Sequence, residues 1–166
     1  EKLGYNVIIP EHLESGRTYL SKGLVKEAQK IALKNIDLLK DIIKGETPII
    51  GIEPSAILTL RDEYPDLVSG NQKLAAKEIA KNTFLFDEWF AEEISKGNIR
   101  ASSFTTEKKI IQVHGHCHQK ALSSVQHTVD CLSLPVNYKA VAIPSGCCGM
   151  AGSFGYEKEH YDVSMQ

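Results

Sequence analysis

Residues 109–122 read KIIQVHGHCHQKAL, and residues 138–149 read YKAVAIPSGCCG. Each stretch opens on a short β-branched run and leads into cysteine, so KIIQVHG (109–115) and YKAVAIP (138–144) are predicted strands. Between them, residues 119–132 repeat Leu122, Val125, Val129 and Leu132 at helical spacing. Strand, helix, strand is a crossover long enough for parallel pairing. Directly paired, the strands would lie about 4.8 Å apart, and Cys117 and the Cys147-Cys148 pair would leave the sheet at one carboxyl edge. Open α/β sheets place their ligands at that edge. Helix N-termini there would favour thiolate, the form that binds metal. Gly146 and Gly149 would let the backbone pass close to a bulky group without a Cβ clash. Adjacent cysteines are a poor staple for one another, because neighbouring Cα atoms lie about 3.8 Å apart and a relaxed disulfide needs roughly 5.5–6 Å.

Outward from this unit, YNVIIP (5–10) and PIIGIEP (48–54) are further predicted strands. Residues 22–44 form a predicted helix with an apolar stripe of Leu24, Ala28, Ile31, Leu38 and Ile42, stopped by Gly45. A second helical region, 71–96, carries Leu74, Ile79, Leu85, Trp89 and Phe90, with Gly97 after it, and FGYEKEHYDVSM (154–165) reads as another helix. The alternation implies an α/β fold of parallel sheets flanked by helices. The chain also repeats itself. IIGIEPSA (49–56) lies over IIQVHGHC (110–117), which sets Ala56 opposite Cys117. VIIPEHLESG (7–16) lies over VAIPSGCCG (141–149) with one extra residue, which sets Glu14-Ser15 opposite Cys147-Cys148. The expected organisation is two pseudo-repeated half-domains: residues 1–100 without cysteines, a metal-free scaffold, and residues 101–166 carrying the cysteine site.

The net charge of −2 over 166 residues gives no electrostatic footprint for nucleic acid or an anionic membrane. No apolar run approaches the roughly 20 residues of a transmembrane segment, and no signal-peptide pattern opens the chain. Four cysteines, three of them crowded near histidines, suit a cytoplasmic protein with metal-binding or redox thiols; peripheral attachment to a membrane is compatible with this pattern. The chain opens on EKLGYNV without methionine and stops at VSMQ inside a predicted helix, so a fragment of a longer protein is expected, its first half incomplete at the N-terminus and its second at the C-terminus.

Cys117, Cys147 and Cys148 are the candidate ligands, and each also has a plain reading as a small buried residue. His116 and His118 flank Cys117 and would serve as ligands, as partners that orient a ligand, or as helix-start residues; His114 is a weaker candidate. Cys131, beside the apolar stripe, is read as structural. Arg17 and Glu53, at strand-end turns of the first half, are read as surface ion pairs, and KEAQKIALK (26–34) as a solvated helix face. Trp89, with Phe84, Phe86 and Phe90, is read as core or as an interface to a missing domain.

HCHQKAL, followed about thirty residues later by PSGCCGMAGSFGYE, resembles the cysteine-rich CCG domain family, which includes the B subunit of heterodisulfide reductase and the iron–sulfur subunits of glycolate oxidase and anaerobic glycerol-3-phosphate dehydrogenase. GIEPSAILTLRDEYPDL and CCGMAGSFGYEKEHYDVSMQ look most like the C-terminal region of fused FAD-linked oxidases of the D-lactate dehydrogenase or glycolate oxidase type. The resemblance covers nearly the whole chain. It implies two CCG half-domains, a 4Fe-4S-type iron–sulfur cluster or, in some copies, zinc, and electron transfer between a flavin and an acceptor. It also implies that Cys117, Cys147 and Cys148 are the ligands, with FAD on a domain or subunit outside this chain. ESGR stands where the family often has Cys-Cys-Gly-Arg, and Ala56 replaces a frequent cysteine, so the first site should be empty. The family's last ligand cysteine would fall beyond Gln166. The fragment alone should therefore hold a cluster poorly and not be catalytic. It should be metal-free or carry zinc, with His116, His118, water or another chain in the open position. Two other readings stand beside electron transfer: a structural zinc scaffold that docks a partner, and a metal-free dithiol redox protein using Cys147-Cys148.

Overall fold

The computed structural model describes residues 2–43, 45, 47–146, 148–149 and 154–165. Its architecture is α/β: two small parallel two-stranded sheets flanked by helices. The first part runs α1 (Arg17–Ser21), α2 (Val25–Leu39), β1 (Ile49–Gly51), α3 (Pro54–Arg61), α4 (Tyr64–Leu67), α5 (Gly70–Lys81), β2 (Thr83–Leu85) and α6 (Phe86–Ser95). The second runs β3 (Lys109–Val113), α7 (Cys117–Leu122), α8 (Val125–Leu132), β4 (Tyr138–Ala142) and, after two 3₁₀ turns, α9 (Tyr161–Ser164). β1 pairs with β2, and β3 with β4 in the register Lys109↔Tyr138 to Val113↔Ala142.

The main core lies in the first part, where Ala32, Ile36 and Leu39 of α2 meet Ile57, Leu58 and Leu60 of α3, Tyr64, Ile79 and Leu85. Leu122 of α7 packs on its margin and so anchors the second sheet's crossover to the larger core. The buried face of α2 comprises Ala28, Ala32, Asn35, Ile36 and Leu39, a stripe rotated from the one expected, with Leu24 and Ile42 exposed. Asn35 explains the rotation. Its side chain accepts from the Leu13 amide (2.7 Å) and donates to the Glu14 carbonyl (2.9 Å) and to Tyr64 Oη (2.8 Å), so a buried amide is fully partnered and takes an apolar position.

Four predicted elements differ. The helix over 154–165 forms as two 3₁₀ turns, Phe154–Tyr156 and Lys158–His160, and the short helix α9. The helix over 71–96 is interrupted by β2, because Asn82 caps α5, Thr83 Oγ1 donates to the Ile79 carbonyl (2.7 Å), and β1 offers a parallel partner; Leu74 is consequently exposed. The helix over 119–132 breaks at Ser123–Ser124, where Ser124 Oγ accepts from the Gln126 amide and starts α8. No strand forms over residues 5–10. Tyr5 Oη donates to Glu93 (2.6 Å) and the Leu13 amide to Asn35, which pins an extended segment at both ends with Val7, Ile8 and Ile9 59%, 68% and 85% exposed. A strand is defined by its pairing, and this run has no strand beside it among the described residues.

Candidate functional site

The parallel pairing of β3 and β4 sends the two cysteine-bearing loops out of the same sheet end. The register holds one residue beyond the strands, where the Ile143 amide donates to the Val113 carbonyl (2.9 Å). The loops are then tied to each other. His114 Nδ1 and Ser145 Oγ lie 3.1 Å apart, and Lys120 Nζ donates to the carbonyls of Ser145 (2.9 Å) and Gly146 (3.1 Å). Cys117 is the first residue of α7, and both Cys117 and Cys148 are exposed. Cys147 lies outside the described residues.

Gly115 is where the α7–α8 corner closes on the β3 loop. A Cβ there would stand 2.3 Å from Val125 Cγ2 and 3.1 Å from Lys120 Cε. His116 is the N-cap of α7: its Nδ1 accepts from the His118 amide (3.2 Å). An amide can only donate, so the neutral ring carries its proton on Nε2, which stands 3.8 Å from Glu53 Oε1. The His118 ring lies 5.8 Å from that of His116. Burial lowers the His118 pKa, the charges of Arg17 and His116 lower it further, and Glu53 and Asp62 oppose them. A neutral imidazole is the metal-ligating form, and the lowered pKa of His118 favours that form, while both nitrogens of His116 face other groups.

Glu53 does more than pair at the surface. Glu53 caps α3, accepting from the Ser55 hydroxyl (2.8 Å) and from the Ser55 and Ala56 amides. Burial pushes its pKa up, but those donors and the nearby His116 leave it lowered overall. Arg17 pairs with Glu63, whose pKa burial raises against the pull of Arg17. The N-caps of α3 and α7 thus face each other, although the sequence overlay sets Glu53 against His114.

Two residues after Cys117 in α7, Gln119 roots a polar network that the sequence did not flag. Gln119, 5% exposed, donates from Nε2 to Asp87 Oδ2 (2.7 Å), Thr128 Oγ1 (2.8 Å) and the Ser124 carbonyl (3.2 Å). Thr128 Oγ1 donates to the same Asp87 oxygen, and Cys131 Sγ to the Asp87 carbonyl (3.1 Å). Burial, then the fields of Asp87 and Asp130, push the Cys131 thiol up to about 12, so it stays protonated and inert, in keeping with a structural role. The aromatic residues form a layer on α6: Trp89 meets Tyr5 edge-on at 4.9 Å, Phe90 is buried, and Phe86 is 44% exposed.

The donor chemistry at the sheet end, thiols with an imidazole alongside, suits zinc or an iron–sulfur centre. Among the described residues, no three or more His, Cys, Asp or Glu side chains are grouped so as to hold a metal ion. No helix among them is long and apolar enough to cross a membrane.

No protein-family model matches the chain, and no solved structure matches it. Among curated proteins it is similar to D-2-hydroxyglutarate dehydrogenase of Escherichia coli (strain K12), 28% identical over 168 residues, and to the protein of the same name from Pantoea ananatis, 27% identical over 166 residues. Each alignment covers 99% of this chain and 15% of the relative. It is also 25% identical over 152 residues to one subunit of the anaerobic glycerol-3-phosphate dehydrogenase of Escherichia coli (strain K12), across 90% of this chain and 37% of that polypeptide. The chain therefore resembles oxidoreductase polypeptides along nearly its full length and spans only a small part of each of them.

Proposed function

We propose that this chain is a CCG-type electron-transfer region of a larger FAD-linked 2-hydroxy-acid oxidoreductase. The observation that carries the reading is the joining of the Cys117 loop and the loop leading to Cys148 at one end of a parallel sheet by Lys120 and His114. The similarity to D-2-hydroxyglutarate dehydrogenase and to a subunit of anaerobic glycerol-3-phosphate dehydrogenase supports it. Cys117, Cys147 and Cys148 would hold the centre, with His118 or a group from outside these residues completing it. A bound iron–sulfur cluster would supply one-electron redox chemistry at a potential set by its surroundings. Residues 101–166 carry the site, and residues 1–100 are its scaffold. The partners are a flavin domain or subunit, which takes two electrons as hydride from the substrate, and an acceptor that receives them singly. A cytoplasmic location accompanies this role.

A structural zinc site is the second reading, favoured by the mixed donor chemistry of the sequence, where His116 and His118 flank the Cys117 thiol. Anaerobic reconstitution of the whole larger polypeptide, rather than of these 166 residues alone, with ferrous iron and sulfide separates the two. The proposal expects brown protein whose visible absorption bleaches on reduction and is lost in Cys148→Ser. Colourless protein holding one zinc per chain would overturn it in favour of the second reading. Metal-free protein with two titratable thiols would overturn both.

A further inference from the structure

We infer that Lys120 is a positioning residue of the thiol site, a clamp that holds the loop entering the Cys147-Cys148 pair against the helix that begins at Cys117. The inference rests on the metal-site reading above and assigns a residue to it. Lys120 is three residues after Cys117 in α7, a spacing that puts both on one helix face. Its stem crosses the β3–α7 connection: Cε lies 3.1 Å from where a Cβ on Gly115 would stand. Any side chain at 115 would obstruct that path. The ammonium then donates to two successive carbonyls, Ser145 (2.9 Å) and Gly146 (3.1 Å), in the loop that follows β4.

A lysine in the last turn of a helix ordinarily serves its own helix's carbonyls, whereas this one is spent on a loop 25 and 26 residues away. Ser145 is held on two further sides, by His114 Nδ1 at 3.1 Å and through its own amide, which donates to the Ile143 carbonyl (2.9 Å). The clamp does two things at once. It fixes the backbone from which the cysteine pair departs, so that less freedom is lost when metal binds. It also sets a positive charge beside donors that are anionic when they ligate, which eases the repulsion among thiolates.

The test compares wild type with Lys120→Met, which keeps the length of the stem, and Lys120→Arg, which keeps a cationic donor. Lys120 is exposed, so all three should melt together. In metal-free protein, amide hydrogen exchange at Ser145 should be about tenfold faster in Lys120→Met, the loss of roughly one charge-assisted hydrogen bond. Cobalt(II) affinity, read from thiolate-to-cobalt absorption, should fall by about the same factor, and Lys120→Arg should recover most of both. Unchanged exchange in Lys120→Met would overturn the clamp. Faster exchange with unchanged cobalt(II) affinity would overturn its role in the site. Wild-type protein that takes up no thiolate-bound cobalt(II) would remove the metal-site reading itself, and this role with it.

Discussion

Gly115→Ala offers a sharp test of how the site is packed. Gly115 is not among the glycines with positive φ, so alanine meets no backbone strain and only the space matters. The new Cβ would lie 2.3 Å from Val125 Cγ2, about 1.2 Å inside the ~3.5 Å at which two carbons normally touch. Val125 is β-branched and opens α8, so it has little rotamer freedom with which to retreat. Overpacking of this kind costs about 1–3 kcal/mol, offset by roughly 0.4–1 kcal/mol from the stiffer unfolded chain. The net expectation is a loss of about 1–2 kcal/mol, or a melting point lower by about 2–6 °C for a chain of this size. The decisive comparison adds Val125→Ala, which removes both clashing methyls. In urea denaturation of the four proteins, the double variant should be more stable than the sum of the single changes by about 1 kcal/mol or more. Strictly additive effects, or a Gly115→Ala protein as stable as wild type, would refute the close approach of α8 to this loop.

Three further outcomes follow from other parts of the structure. Gln119→Leu strips the half-buried Asp87 carboxylate and Thr128 of a shared donor and should cost about 1–3 kcal/mol in urea denaturation; a neutral change would show that the network does not hold α7 to α6. Under native conditions near pH 8, iodoacetamide should modify the exposed Cys117 and Cys148 faster than the half-buried Cys131, whose thiol is held up to about 12, while urea should open all of them; equal native rates by mass spectrometry would contradict this difference. Burial raises the Tyr64 phenol to about 12, against a hydrogen bond from Asn35 that lowers it. An unfolded tyrosine ionises near 10, so its contribution to stability is complete below about pH 10 and is lost as the pH climbs toward 12. Wild type should therefore lose stability faster than Tyr64→Phe across that window, and parallel curves would count against it.

The crossover around Cys117 was legible because its signals are local: two β-branched runs, turn residues after each, and cysteines at both ends. The single helix expected over 119–132 was wrong in a way composition hides, since Ser123–Ser124 stops one helix and caps the next without glycine or proline. β2 escaped notice because three residues, Thr83–Leu85, fit a helical apolar period as well as a strand, and only β1 decides between them. The strand expected over 5–10 has suitable residues but lacks a neighbouring strand among the described residues, and pairing is a tertiary property. Asn35 and Gln119 look like surface residues in an amphipathic pattern and are buried because the fold supplies partners for both polar atoms of Asn35 and for Nε2 of Gln119. Lys120 reads as an ordinary solvated lysine until the loop after β4 is brought beside it. Proton placement at His116 was likewise invisible, being set by the amide it caps.

The most direct test of the account is metal content per chain, by elemental analysis after dialysis, in wild type and in Cys117→Ser, Cys147→Ser, Cys148→Ser and Cys131→Ser. The account predicts that wild type and Cys131→Ser retain equal iron or zinc and that each of the other three loses it. Equal metal in wild type and in Cys117→Ser, Cys147→Ser and Cys148→Ser would contradict a centre held by the two cysteine-bearing loops.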